Sequence, residues 1–71
     1  MAKAIQCGTE RVGSREVPCY RPAKGVSVDE AARSIGLRCL ARKEQRERPD
    51  LAARAEAVFT EGGLYWPCVT P

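Results

Sequence analysis

The small supply of large apolar side chains is the feature that most limits what this chain can fold into. Among its 71 residues are four Leu, two Ile, six Val and one Phe, whereas ten of the other apolar residues are Ala. Ordering a residue costs roughly 1.5 kcal/mol, so a chain this short needs support beyond its core. We therefore expect a single small domain, 1–71, stabilised by its four Cys, by a metal that they hold, or by a partner subunit.

The absence of His and the small size of the chain exclude several functions. The chain has no His, which removes the Ser-His-Asp and Cys-His nucleophile pairs and every Cys/His zinc finger. A chain of 7.8 kDa is also expected to be too small to enclose a pocket of several hundred cubic ångströms. The expected protein is therefore not an enzyme and needs no cofactor.

Apolar residues are spread too thinly to predict a membrane segment. No run reaches 18 residues, and the N-terminal residues lack an apolar stretch of signal-peptide length. We expect a cytoplasmic protein without membrane contact.

Residues 1–25 carry the signals of a β-hairpin followed by a basic loop. Apolar and polar residues alternate on both sides of Gly13-Ser14. A two-residue loop would place Cys7 opposite Tyr20, whereas a three-residue loop would place Cys7 opposite Cys19. Both registers stay open at this point.

Residues 26–61 are predicted to be helical. Ser27 and Glu30 form a capping box, which begins a helix with an apolar stripe through Ala31, Ala32 and Ile35. Gly36 either ends this helix or lies within a longer one. A charged segment follows up to Pro49, and the residues from Asp50 to about Glu61 are expected to form another helix.

The aromatic C-terminal segment, residues 62–71, is predicted to pack against the rest of the domain. Gly62-Gly63 stops the preceding helix, and Leu64 to Trp66 could add a short strand. The expected fold class is therefore α+β, with an N-terminal hairpin, two or three helices arranged like a helix-turn-helix, and a possible short C-terminal strand.

Residues 26–57 resemble the helix-turn-helix domains of small DNA-binding proteins from phages and mobile elements. Ala32 lies four positions before Gly36 and Leu37 follows it, as in that motif. The second helix departs from it, with Arg42 and Gln45 where the motif has buried apolar residues.

The resemblance implies a DNA-binding regulator that acts as a homodimer, with the second helix in the major groove. Arg contacts would read guanine or phosphate, and Lys contacts would act as point charges. The same charges could instead form ion pairs on a solvated helix. The implied nucleic-acid contacts are Arg38, Arg42, Lys43, Arg46 and Arg48, with Arg21 and Lys24 on neighbouring phosphates.

An alternative function is a small phage-type adaptor or inhibitor that binds a host protein, such as a transcription or defence component. Tyr65 and Trp66, together with the Arg-rich helix, would then form the contact surface, because Tyr, Trp and Arg dominate interface energetics. Trp66 could instead be an ordinary core aromatic.

The four Cys lie at positions 7, 19, 39 and 68, without a close-spaced pair. Structural zinc sites usually use at least one such pair, so zinc bound by Cys7, Cys19, Cys39 and Cys68 is one possibility among three. The others are two disulfides and four reduced thiols that serve as small apolar residues.

Overall fold

A mixed five-stranded sheet with three short helices forms the domain. The computed structural model describes residues 2–71. Of these residues 43% lie in strands and 24% in helices, so strands dominate the fold. Within the described residues, none of the helices has the length and apolar character needed to cross a membrane. In chain order the elements are β1 (Ala4–Val12), β2 (Arg15–Pro22), α1 (Val28–Ser34), β3 (Arg38–Cys39), α2 (Arg42–Glu47), α3 (Pro49–Ala52), β4 (Ala57–Glu61) and β5 (Leu64–Val69).

The strands follow the order β1-β2-β4-β5-β3 across the sheet. The strands β2 and β4 pair in parallel, whereas β1 with β2, β4 with β5 and β3 with β5 are antiparallel pairs. The helix-turn-helix arrangement predicted from the sequence is therefore wrong. The strand β3 separates α1 from α2 and pairs with β5, and α2 has only six residues, none of them buried.

The N-terminal hairpin is confirmed, and its register combines both of the alternatives. Gly13 has a φ of 61°, as at the first central position of a type II′ turn, and Arg11 faces Glu16 as a two-residue loop requires. The register then shifts between Gln6 and Gly8, so that Gln6 faces Tyr20. This β-bulge brings Cys7 beside Cys19, with 3.9 Å between the sulfur atoms.

The helix predicted at Ser27 is also confirmed, and Gly36 ends it. The Ser27 hydroxyl accepts a hydrogen bond from the Glu30 amide at 3.1 Å. At the other end the Gly36 and Leu37 amides donate to the carbonyls of Arg33 and Ala32 at 3.0 and 2.9 Å. These two bonds form a Schellman motif, and Gly36 has the positive φ, 76°, that this motif requires.

The helix predicted for residues 50–61 is wrong in most of its length. Residues Pro49–Ala52 make one helical turn, and Ala57–Glu61 form the central strand β4. Ala57, Val58 and Phe59 are all buried, because helices and loops cover both faces of the sheet at this strand. A continuous apolar run of this kind fits a buried strand and one face of a helix equally well.

The two faces of the sheet hold different parts of the core. On one face α1 packs its buried Ala31 and Ala32 against Phe59 and Cys68. By the alternation of side chains along a strand, Val17, Cys19, Val58 and Val69 point to the other face, where they are also buried. Phe59, Leu40 and Cys68 are the largest completely buried side chains of the described residues, and smaller residues such as Ala and Val fill the rest of the core.

Replacing Gly36 tests how α1 ends. Gly36→Ala should lower the free energy of unfolding by about 1–2 kcal/mol, because an L-residue is strained at positive φ although open space surrounds the position. Gly36→Asn should cost less, since Asn tolerates this conformation better. Urea unfolding followed by circular dichroism measures both. If Gly36 were inside a longer helix, the Ala variant would instead be about 1 kcal/mol more stable.

Candidate functional site

An open groove of about 540 Å³ lies where the beginnings of α1 and α2 meet β5. Its volume exceeds what we expected from a chain this short. That expectation concerned an enclosed pocket. This groove is instead an open depression of the surface between helices and strands, outside the core. The residues that give the groove its chemical character are Val28, Asp29, Cys39, Arg42, Glu61 and Trp66.

Arg42 and Trp66 form the most specific contact at this groove. The Arg42 guanidinium lies over the Trp66 ring, 5.2 Å from its centroid. Trp66 is half-buried and faces Phe59 on β4, and Arg42 is the first residue of α2. The antiparallel pairing of β3 with β5 brings α2 to this position, because α2 begins three residues after Cys39. Cation–π contacts of this kind contribute about 0.5–1 kcal/mol at exposed sites.

The charged groups of the groove have mixed sign. Asp29 and Glu61 contribute two carboxylates and Arg42 contributes one guanidinium, which already lies against an aromatic ring. Both carboxylate residues are exposed. The groove can therefore receive an apolar group against Val28 and Trp66 together with a positive charge near the carboxylates.

Two of the residues predicted to contact nucleic acid are ion-paired with carboxylates of the same chain. Arg38 donates two hydrogen bonds to Glu44, at 3.1 and 3.0 Å, and this contact lowers the pKa of the Glu44 carboxyl. Arg48 donates two to Asp50, at 3.1 and 2.9 Å, and lowers the pKa of Asp50 in the same way. These ion pairs differ from the pairs expected within one solvated helix, because Arg38 lies on β3 and Asp50 lies on α3.

The remaining predicted cations are exposed and divided between two places. Lys43 and Arg46 lie on α2. Arg21 lies at the end of β2, and Lys24 lies in the turn that follows it. Because β4 and β5 separate β2 from β3 in the sheet, Arg21 does not lie on the same edge as α2.

The aromatic segment forms β5, but its two predicted contact residues point to opposite faces. Trp66 shares its face with Leu64, whereas Tyr65 lies on the other face, by the alternation along the strand. Leu64 and Tyr65 are large apolar side chains that stay exposed, by 51% and 47%. Sequence reasoning missed Asp29, Glu61 and Leu64 as groove or rim residues. The local sequence around Asp29 indicates only a negative charge in the first turn of a helix, and that around Glu61 indicates the end of a helix.

The four Cys form two pairs on opposite faces of the sheet. Cys39 faces Cys68 across β3 and β5, on the face that α1 covers, and Cys7 contacts Cys19 on the other face. The four thiols that could hold zinc are therefore not brought together. Among residues 2–71 the structure contains no cluster of three or more Cys, Asp or Glu side chains that could hold a metal ion.

No protein-family model, curated protein or solved structure matches this chain. The case for a function consequently depends on the groove and on the residues around it. Of the residues predicted from the sequence, the structure brings Arg42 and Trp66 together there.

The buried thiol of Cys19 should make stability depend on alkaline pH. Burial, and then its contact with Cys7, raise the pKa of Cys19 to about 11 from the usual 9.0. Between pH 9 and 11 the unfolded chain loses this proton while the folded chain keeps it, so the free energy of unfolding should fall as pH rises. Urea unfolding across this range should show a shallower fall in Cys19→Ala. Equal slopes in the two proteins would contradict the prediction.

Removing Arg42 should uncover the indole of Trp66, the only Trp in the chain. Arg42→Ala should shift the tryptophan emission to longer wavelength and lower the free energy of unfolding by about 0.5–1 kcal/mol. Lys43→Ala is the matched control, because it removes the same charge from the next residue of α2. Fluorescence and urea unfolding measure both effects, and an equal response of the two variants would argue against the contact.

Proposed function

We propose that this protein is a small adaptor or inhibitor that binds another protein through the groove beside Trp66. The partner presents an apolar side chain next to Lys or Arg. The apolar side chain packs between Val28 and Trp66, and the cation lies near Asp29 and Glu61. The observation that carries this proposal is the contact of Arg42 with Trp66, because it joins the Arg-rich helix and the aromatic strand in one surface.

Three features support a protein partner. Arg and Trp are the residue types most enriched where binding energy is concentrated, and here they form one side of a concave surface. The exposed Leu64 lies two residues before Trp66 on the same face of β5 and extends the apolar area. The carboxylates of Asp29 and Glu61 add charge that selects a basic partner.

DNA binding stays a prediction, but the features that implied it are weaker in the folded chain. The helix pair that would enter the major groove is absent from residues 2–71, since a strand lies between α1 and α2. Arg38 and Arg48 are paired with carboxylates, and Arg42 lies against Trp66. Lys43 and Arg46 are the exposed cations of α2 that could still contact phosphate.

Selection from a random peptide library displayed on phage tests the proposal. Peptides that combine an aromatic or aliphatic residue with Lys or Arg should be enriched, and their dissociation constants should be measured by fluorescence anisotropy. Trp66→Ala and Glu61→Lys should each weaken binding at least tenfold, or about 1.4 kcal/mol. Glu61 lies exposed at the end of β4, so its charge reversal changes the groove with little effect on the core.

Arg54→Ala is the matched control, because Arg54 is exposed and lies outside the groove residues. It should leave the peptide affinity unchanged. Selected peptides that bind the Trp66 and Glu61 variants as tightly as the original protein would overturn the proposal. Micromolar binding of random duplex DNA that falls with salt and is lost in Lys43→Ala/Arg46→Ala would favour the nucleic-acid function instead.

A further inference from the structure

Cys39 and Cys68 lie at directly opposed positions of the antiparallel strands β3 and β5. The Leu40 amide donates to the Pro67 carbonyl at 2.9 Å, between the next opposed pair of residues. Since hydrogen-bonded and non-hydrogen-bonded pairs alternate along antiparallel strands, the Cys pair is of the non-hydrogen-bonded type, in which the two chains lie closest. Its typical Cα separation of about 4.5 Å falls within the range that disulfides use.

The two sulfur atoms are already in close contact. Their separation is 2.7 Å, shorter than a contact between sulfur atoms that only touch. The sulfur atoms of the other pair, Cys7 and Cys19, are 3.9 Å apart beside the β-bulge. Small rotations of the Cys39 and Cys68 side chains therefore bring their sulfur atoms to the bonding distance of about 2.05 Å.

The two thiols of this pair differ in access and in acidity. Cys39 is partly exposed and lines the groove, whereas Cys68 is completely buried behind it. The hydrogen bond with Cys68 lowers the pKa of Cys39, against the opposing effects of burial and of Asp29. The same contact, together with burial, raises the pKa of Cys68. A thiolate attacks and a thiol does not, so the accessible member of the pair is also the better nucleophile.

We propose that Cys39 and Cys68 form a redox-active dithiol, in which Cys39 attacks a small disulfide that enters the groove and Cys68 resolves the product. The Cys39 thiolate bonds to one sulfur of the small disulfide, and the other leaves as a thiolate. Cys68 then bonds to Cys39, displaces the second half of the reagent, and its proton goes to a departing thiolate. One dithiol and one disulfide thus become one protein disulfide and two small thiols.

The charges of the groove select among small disulfides. Asp29 and Glu61 outnumber Arg42, whose guanidinium lies against Trp66. A cationic disulfide should therefore reach Cys39 faster than an anionic one. The reaction needs no protein partner, so it stands or falls independently of the peptide-binding function.

Cystamine is the probe for the first experiment. The fully reduced protein is mixed with it, quenched with acid, alkylated and digested with trypsin, which separates the four Cys into residues 4–11, 16–24, 39–42 and 55–71. The expected first product is residues 39–42 joined by a disulfide to residues 55–71. An adduct on Cys7 or a bond from Cys7 to Cys19, with Cys39 and Cys68 still free, would overturn the proposal.

Single variants separate the roles of the two thiols. Cys68→Ala should lose the internal disulfide and accumulate half of the cystamine on Cys39, whereas Cys39→Ala should lose both products. The double variant Cys7→Ala/Cys19→Ala is the matched control and should still form the bond. No adduct on Cys39 in Cys68→Ala, in a protein whose circular dichroism is unchanged, would contradict the assigned roles.

Two further experiments use the unsubstituted protein and so do not depend on whether a variant folds. In urea the preference for the bond between Cys39 and Cys68 should disappear, because the sheet no longer opposes them. The ratio of the rate with cystamine to the rate with the anionic disulfide dithiodipropionate should be larger in the folded protein than in urea, because Asp29 and Glu61 surround Cys39 only in the folded chain. The same preference for the bond between Cys39 and Cys68 in urea would overturn the role of the fold. The same ratio of rates in urea and in the folded protein would overturn the role of the groove.

Discussion

The parallel pairing of β2 with β4 is the interaction on which the rest of the structure depends. It joins the hairpin of β1 and β2 to the hairpin of β4 and β5, and an isolated hairpin is marginally stable at best. At this junction Tyr20 faces Phe59, and their rings stack with centroids 5.5 Å apart. A parallel junction requires a long connection, and residues 23–56 supply it with α1, β3, α2 and α3.

The groove is a consequence of how that connection returns to the sheet. The strand β3 pairs with the edge of β5 that β4 leaves free, so α2 begins next to Trp66, the residue of β5 that faces Phe59. The beginning of α1 closes another side of the groove, because α1 packs on the same face of the sheet through Ala31 and Ala32. A concave surface thus arises between short elements that contain few large side chains.

The cysteines also contribute small side chains to the core. Two of them, Cys19 and Cys68, are buried in a core that is otherwise rich in Ala and Val. Each has its partner on the neighbouring strand, in one case through a β-bulge and in the other through direct opposition. The pairing therefore follows strand register, which explains why the sequence spacing of the four Cys was uninformative.

Part of the candidate site could be predicted from residue types alone. The helix-turn-helix resemblance points to Arg42, and the alternative of a protein-binding surface combines the Arg-rich helix with Trp66, because Arg and Trp often carry binding energy. Their contact depends on the pairing of β3 with β5, which joins residues about thirty positions apart. The same non-local pairing places Asp29 and Glu61 at the groove, and no local pattern indicates it.

The sequence by itself determined the elements whose signals are local. The cap at Ser27 and the presence of a hairpin around Gly13-Ser14 depend on hydrogen bonds or φ angles within a few residues. The sequence left open whether Gly36 ends the helix and how long the hairpin loop is, and the structure decided both. The tertiary structure alone decided that residues 57–61 are a central strand, since burial on both faces removes the alternation that would have identified it. It also decided which strands are neighbours, because that choice depends on side-chain packing between distant segments, as between Tyr20 and Phe59.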